Sequence, residues 1–186
     1  VDLATLVDDP AVGAVVEIVG GDGVVGHQVT TATGVAEGPC SSSAASRWYL
    51  GSGSTTRDAH EYIALLNPSL DDVVFEAEFR IDGRTRVPGE LERGVVPARS
   101  VRVIDLGEFV AREEEIAATI TVVQGQLVVE RLQTLDGTLG PRGAALQLAV
   151  ADLLVGVTFG TMGAKRLLRH ELGVDEVQPQ FLCAFE

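Results

Sequence analysis

A hydrolytic site needs a nucleophile beside a base that a third group orients. Ser41, Ser42, Ser43, Ser52 and Ser54 offer hydroxyls, and His27 or His60 offers a base. None of these serines sits in Gly-x-Ser-x-Gly, and their surroundings lack the strand, sharp turn and helix that expose such a nucleophile. They read as loop residues that bond their own backbone. Glu76 and Glu78 share one strand face and could serve glycan hydrolysis as paired acids, but they alternate with Phe75 and Phe79 as a solvent face does.

Gly21-Asp22-Gly23-Val24-Val25-Gly26 matches the dinucleotide fingerprint literally. That fingerprint works only where a helix N-terminus receives a pyrophosphate, and here β-like runs flank it on both sides, so it reads as a turn. Glu113, Glu114 and Glu115 are consecutive, as are Asp8 and Asp9, yet neither run has the alternating ligand spacing of a calcium loop. Both read as solvated acidic connectors. His27, His60 and His170 show no i, i+4 pairing for zinc. Neither a metal nor a cofactor is expected.

Trp48 and Tyr49 are the candidate binding surface, because an exposed aromatic beside a Gly/Ser loop can stack on a sugar or anchor a protein. Adjacent strand residues point to opposite faces, so only one of the two can join the core. Trp48 is the expected core residue and Tyr49 the outer one. Cys40 and Cys183 are the only cysteines. In an oxidising compartment they would bridge and close a long loop, whereas in a reducing one they would be buried thiols.

These residues must be positioned by β-structure. In 73–81, Phe75, Ala77, Phe79 and Ile81 fall on one face and Val74, Glu76, Glu78 and Arg80 on the other, which predicts a half-buried strand. Asp82-Gly83 tolerates the positive φ of a tight hairpin turn. The same logic predicts strands at 46–50, 60–66, 93–97, 100–106, 115–123 and 126–134, punctuated by Asn67-Pro68-Ser69 and Gln124-Gly125. Seven short strands over this span are the spacing of an immunoglobulin-like sandwich, so the fold class is all-β.

Residues 1–34 align with 104–137 at an offset of about 103 residues, each copy running acidic linker, strand, Gly hairpin, strand and Gly exit. The chain therefore divides into the second half of one sandwich unit (1–34), a complete unit (35–149) and a divergent tail (150–186). The tail could supply front strands that complete the first unit, since Leu172 to Phe185 loosely echoes Asn67 to Arg80. It could equally be an end with no homologous role. A third reading takes 143–162 as an apolar helix with a basic flank, but its glycines, threonines and Asp152 argue against a membrane span. The opening at Val1 resembles mid-domain sequence, so the absence of a signal peptide carries no weight.

A hydrophobic content of 46% suffices for a packed core, and a net charge of −13 would repel nucleic acid and anionic lipid. Lys165 is the only lysine and Asn67 the only asparagine, the bias of a GC-rich genome.

Pro39-Cys40-Ser41, Arg47-Trp48-Tyr49-Leu50, Gly51-Ser52-Gly53-Ser54-Thr55-Thr56, Leu65-Leu66-Asn67-Pro68, Asp71-Asp72 and Val95-Val96-Pro97-Ala98-Arg99-Ser100 together resemble an actinobacterial family of unknown function. Its members are secreted or membrane-anchored proteins with repeated immunoglobulin-like β-sandwiches, and the resemblance covers roughly 1–149. It implies an extracytoplasmic place in the cell envelope and not a known activity, with no established catalytic residues to carry over. The expected function is a non-catalytic structural or binding module whose partner is an envelope protein or glycan. A glycan-acting hydrolase and a self-assembling envelope scaffold are the alternatives.

Overall fold

The computed structural model describes residues 1–8, 11–21, 23–138 and 142–152, and the backbone of a strand at 180–185. Most of these residues lie in fourteen antiparallel strands. They are β1 (Val12–Glu17), β2 (Gly26–Thr30), β3 (Val35–Pro39), β4 (Arg47–Gly53), β5 (Ala59–Leu66), β6 (Val73–Ile81), β7 (Arg84–Arg86), β8 (Gly94–Val96), β9 (Val101–Asp105), β10 (Ile116–Gln124), β11 (Val128–Asp136), β12 (Arg142–Leu148), β13 (Val150–Ala151) and β14 (Gln180–Phe185). All seven strands expected between 46 and 134 form, as β4, β5, β6, β8, β9, β10 and β11.

Two sheets face each other. The front sheet runs β13-β4-β10-β6-β7, with β8 also paired to β6, and the back sheet runs β12-β11-β5-β9. Their inner faces meet in one core that holds Trp48 and Leu50 from β4, Phe75, Ala77, Phe79 and Ile81 from β6, and Ile116, Ala118 and Ile120 from β10. Ile63 and Leu65 from β5, Ile104 from β9 and Val129 from β11 complete it from the back. The inward residues of β6 are at most 4% exposed, and each large side chain among them contributes about 1.5–3 kcal/mol through burial. At Gly94 the β8 backbone passes so close to Phe75 that a Cβ would lie 2.4 Å from the ring, so only glycine fits.

Asp82 and Gly83 adopt φ of 49° and 73°, and Ile81 pairs with Arg84 across them, the expected two-residue hairpin. Gly125, with φ of 92°, does something different from the hairpin expected there. It carries the chain from β10 in the front sheet to β11 in the back sheet. The two strands of the N-terminal copy also part, β1 pairing with β14 and β2 with β3. A glycine between two alternating runs permits reversal within a sheet or passage between sheets, because both need only a sharp bend.

A third layer covers the back sheet. The β2–β3 hairpin lays Val29 and Ala36 on Leu132, beside Tyr62, Ala144 and Leu146. In β1, a Cβ on Gly13 would fall 2.5 Å from Leu66 and 2.7 Å from Val101, so this strand lies directly on the sheet. The back sheet is thus covered on both faces, which explains why consecutive residues are buried in β5 (Ile63 to Leu66) and in β11 (Val128 to Leu132).

The start of 143–162, weighed as a membrane helix, is instead strands β12 and β13, and 153–162 lies outside the described residues. Among the described residues no helix is long and apolar enough to cross a membrane. The single helical turn α1 (Leu106–Phe109) is capped by Asp105, whose carboxylate accepts from Gly107 N at 2.9 Å.

Asn67 organises the β5–β6 connection from a fully buried position. Its Nδ2 reaches the carbonyls of Asp71 (2.8 Å), Val96 (3.0 Å) and Pro97 (3.0 Å), and its Oδ1 accepts from Ser69 N and Oγ. Asn67→Ala strands several of these buried groups and is expected to cost roughly 2–4 kcal/mol in urea unfolding. Asn67→Asp should cost more, since it turns a carboxylate toward carbonyl oxygens; a loss below about 0.5 kcal/mol for both would refute the assignment.

Candidate functional site

Trp48 is 1% exposed, and its indole N–H donates to the carbonyls of Leu127 (2.9 Å) and Ala45 (3.2 Å), tying the entry of β4 to the entry of β11. Tyr49, one residue on, is 40% exposed on the outer face of the front sheet. Its cross-strand neighbours are Thr119 on β10 and Val150 on β13, the latter 65% exposed. The Tyr49 hydroxyl donates to Asp152 Oδ2 at 3.2 Å, and Arg47 Nη1 lies 3.9 Å from the same oxygen. A shallow depression lined by Ser46, Arg47, Thr121, Val122 and Asp152 opens beside this group.

Glu76 and Glu78 extend that outer face on β6, opposite Thr121 and Thr119. They stand along one strand and do not face each other across a gap. The arrangement is a polar row around one upright aromatic ring, chemistry suited to contact.

Two carboxylates are buried instead. Glu61 points between the sheets, 3.5 Å from Arg131 Nη1, which also donates to Gly51 O at 2.7 Å. Arg131 Nη2 donates to Gln147 Oε1 as well. Gly53 makes room for the Glu61 carboxylate, because a Cβ there would sit 2.0 Å from Oε2. Burial pushes the Glu61 pKa up, and the charge of Arg131 pulls it back only in part.

Glu130 lies on the opposite face of the back sheet, under the β2–β3 hairpin. Its Oε2 is 3.0 Å from His27 Nε2, and the two side chains are only 3% and 4% exposed. The other ring nitrogen, His27 Nδ1, is 3.7 Å from Cys40 Sγ. Burial also raises the Glu130 pKa, opposed by the contact with His27. Sequence reasoning missed this trio: Glu130 occupies an ordinary alternating position in β11, and only the hairpin above it brings His27 and Cys40 near.

Cys40 is disulfide-bonded. The side chain of Cys183, its expected partner, is outside those described, as are Lys165 and His170. Ser41 is buried and its hydroxyl donates to Ser43 O at 2.7 Å, a contact within its own loop. Ser54 Oγ and Thr55 N bond the carbonyl of Glu113, so this residue of the acidic run clamps two loops through its backbone. Gly21 to Gly26 span the connection from β1 to β2, with no helix among the described residues there. Among the described residues no group of three His, Cys, Asp or Glu side chains is placed to hold a metal ion, and the Cys40 sulfur beside His27 is taken up in its disulfide.

Two facing sheets with a third layer, a buried carboxylate on each side of the back sheet and an aromatic outer face define an all-β sandwich protein. Residues 22–153 match the family of unknown function DUF5719, and the chain belongs to that family. Among curated proteins none matches. A crystal structure of Thermotoga maritima 1070 is similar over 59% of this chain and 96% of its own, with 10% identity and a TM-score of 0.52, a likeness of fold alone. The Anabaena sensory rhodopsin transducer is 18% identical over 48% of this chain and 96% of its own, with a TM-score of 0.41.

Glu61 and Glu130 have folded pKa values above their ordinary 4.5, so the folded state holds protons that the unfolded chain would release. Their contribution to stability is fully present below about 4.5 and is lost as pH rises through the folded values. Glu130→Gln removes one of these losses. In a thermal unfolding series from pH 4.5 to 8, the variant should lose less stability than the parent chain; parallel curves would show that Glu130 is not desolvated as described.

Proposed function

We propose that this protein is a non-catalytic, extracytoplasmic module of the cell envelope that holds or recognises another envelope component through the outer face of its front sheet. The carrying observation is Tyr49, upright beside Asp152 and Arg47 and flanked by exposed Val150. A ring bordered by hydrogen-bonding side chains suits the apolar face and hydroxyl rim of a sugar. The net charge of −13 disfavours phosphate-rich polymers, so an uncharged glycan is the component this chemistry fits best.

The disulfide at Cys40 supports the location, since such bonds persist in oxidising compartments. The family resemblance read from the sequence favours an actinobacterial envelope and repeated immunoglobulin-like units. The likeness between 1–34 and 104–137, each sending its two strands to different sheets, is consistent with repetition.

Co-sedimentation with purified, phosphate-free cell-wall glycan tests the reading. The parent chain should pellet with the glycan, Tyr49→Ala should bind at least about tenfold more weakly, and an Arg84→Ala change at the far edge should have no effect. Binding indifferent to Tyr49, or release of soluble sugar by the protein, would overturn it.

A further inference from the structure

We propose that the depression beside Tyr49 takes the acetamido group of an N-acetylated sugar, an assignment that rests on the glycan reading above and narrows it to one class of glycan. Ser46, Arg47, Thr121, Val122 and Asp152 line the depression. Asp152 also accepts the hydrogen bond of the Tyr49 hydroxyl at 3.2 Å. The ring and the depression are therefore adjoining parts of one surface, and a sugar seated on Tyr49 brings a neighbouring substituent to the depression.

Strand pairing builds these walls. Arg47 and Thr121 are cross-strand partners in β4 and β10. Val122 N donates to Ser46 O at 2.7 Å, and Asp152 N donates to Arg47 O at 2.8 Å. Those backbone groups are occupied by the fold, so recognition falls to the side chains. Arg47 and Tyr49 both touch Asp152 through Oδ2, and among the described residues Oδ1 accepts no hydrogen bond.

Size and charge together narrow the occupant. The depression has a volume of about 170 Å³, whereas about 10–15 Å³ admits one water molecule, so a bare sugar hydroxyl would fill little of it. A carboxylate or phosphate would meet the charge of Asp152 and an ammonium that of Arg47, and the two side chains stand only 3.9 Å apart. What fits is a neutral substituent larger than a hydroxyl, carrying both a donor and an acceptor. In an acetamido group the N–H donates to the Asp152 carboxylate, the carbonyl accepts from the Arg47 guanidinium, and the methyl rests toward Val122, the apolar residue of the lining.

Two hexasaccharides with the same β-linked backbone, one of N-acetylglucosamine and one of glucose, test the assignment by isothermal titration. The parent chain should bind the N-acetylated hexamer at least about tenfold more tightly, because a site built to pair an amide leaves its own groups unpaired when the amide is missing. Asp152→Ala should bring the two affinities within about twofold of each other, and Arg47→Met should do the same. Tyr49→Phe should keep the preference, since the ring and the carboxylate both remain, whereas Tyr49→Ala should weaken both hexamers alike.

Phosphate-free wall glycan is sedimented with the same protein in parallel. Wall glycan bound while the hexamers bind equally or not at all would overturn the acetamido assignment and leave the glycan reading standing. No binding to any of the three would overturn both. A preference that survives Asp152→Ala and Arg47→Met would place the acetamido group elsewhere and overturn the assignment as well.

Discussion

The back sheet, β12-β11-β5-β9, has no face that water can reach freely. The front sheet covers one side with Trp48, Phe75, Phe79 and Ile120, while β1 and the β2–β3 hairpin cover the other through Gly13, Val29 and Ala36. This double burial is the constraint from which the other features follow. It makes β5 and β11 the apolar centre of the molecule and requires every polar side chain on them to find a partner inside the protein.

Glu61 and Glu130 show how far that requirement is met on each side, since one oxygen of each is answered while Glu61 Oε2 and Glu130 Oε1 are buried without a hydrogen-bond partner among the described residues. Glu61 faces the front sheet and is answered by Arg131, with Gly53 leaving room for the carboxylate. Glu130 faces the third layer and is answered by His27. In both cases desolvation outweighs the partner's attraction, so each carboxyl is harder to ionise in the folded protein than in the unfolded chain. Asn67 solves the same problem without charge by filling its hydrogen-bonding capacity at the corner where β5, β6 and β8 converge.

The outer face of the front sheet is left to water, and the side chains meeting there, Tyr49, Arg47, Asp152, Thr119 and Glu78, are held by strand register and light contacts. Division of labour between the sheets is the result. One is covered on both faces, and the other offers a patterned surface over the same core.

Much of this was legible in the residue order. Period-2 alternation in 73–81 set β6 and its inward face, Asp82-Gly83 set the hairpin, and the adjacency of Trp48 and Tyr49 required one to be buried and the other outside. Each is a local property, fixed by the backbone geometry of a few neighbouring residues. Whether Gly125 turns within a sheet or between sheets was not legible, nor was the difference between Glu78, which borders solvent, and Glu130, which is sealed. Alternation says that a strand has two faces. What lies on each face is decided by segments a hundred residues away, and only packing of the N-terminal strands on the back sheet converts an ordinary glutamate, a lone histidine and a cysteine into a buried trio.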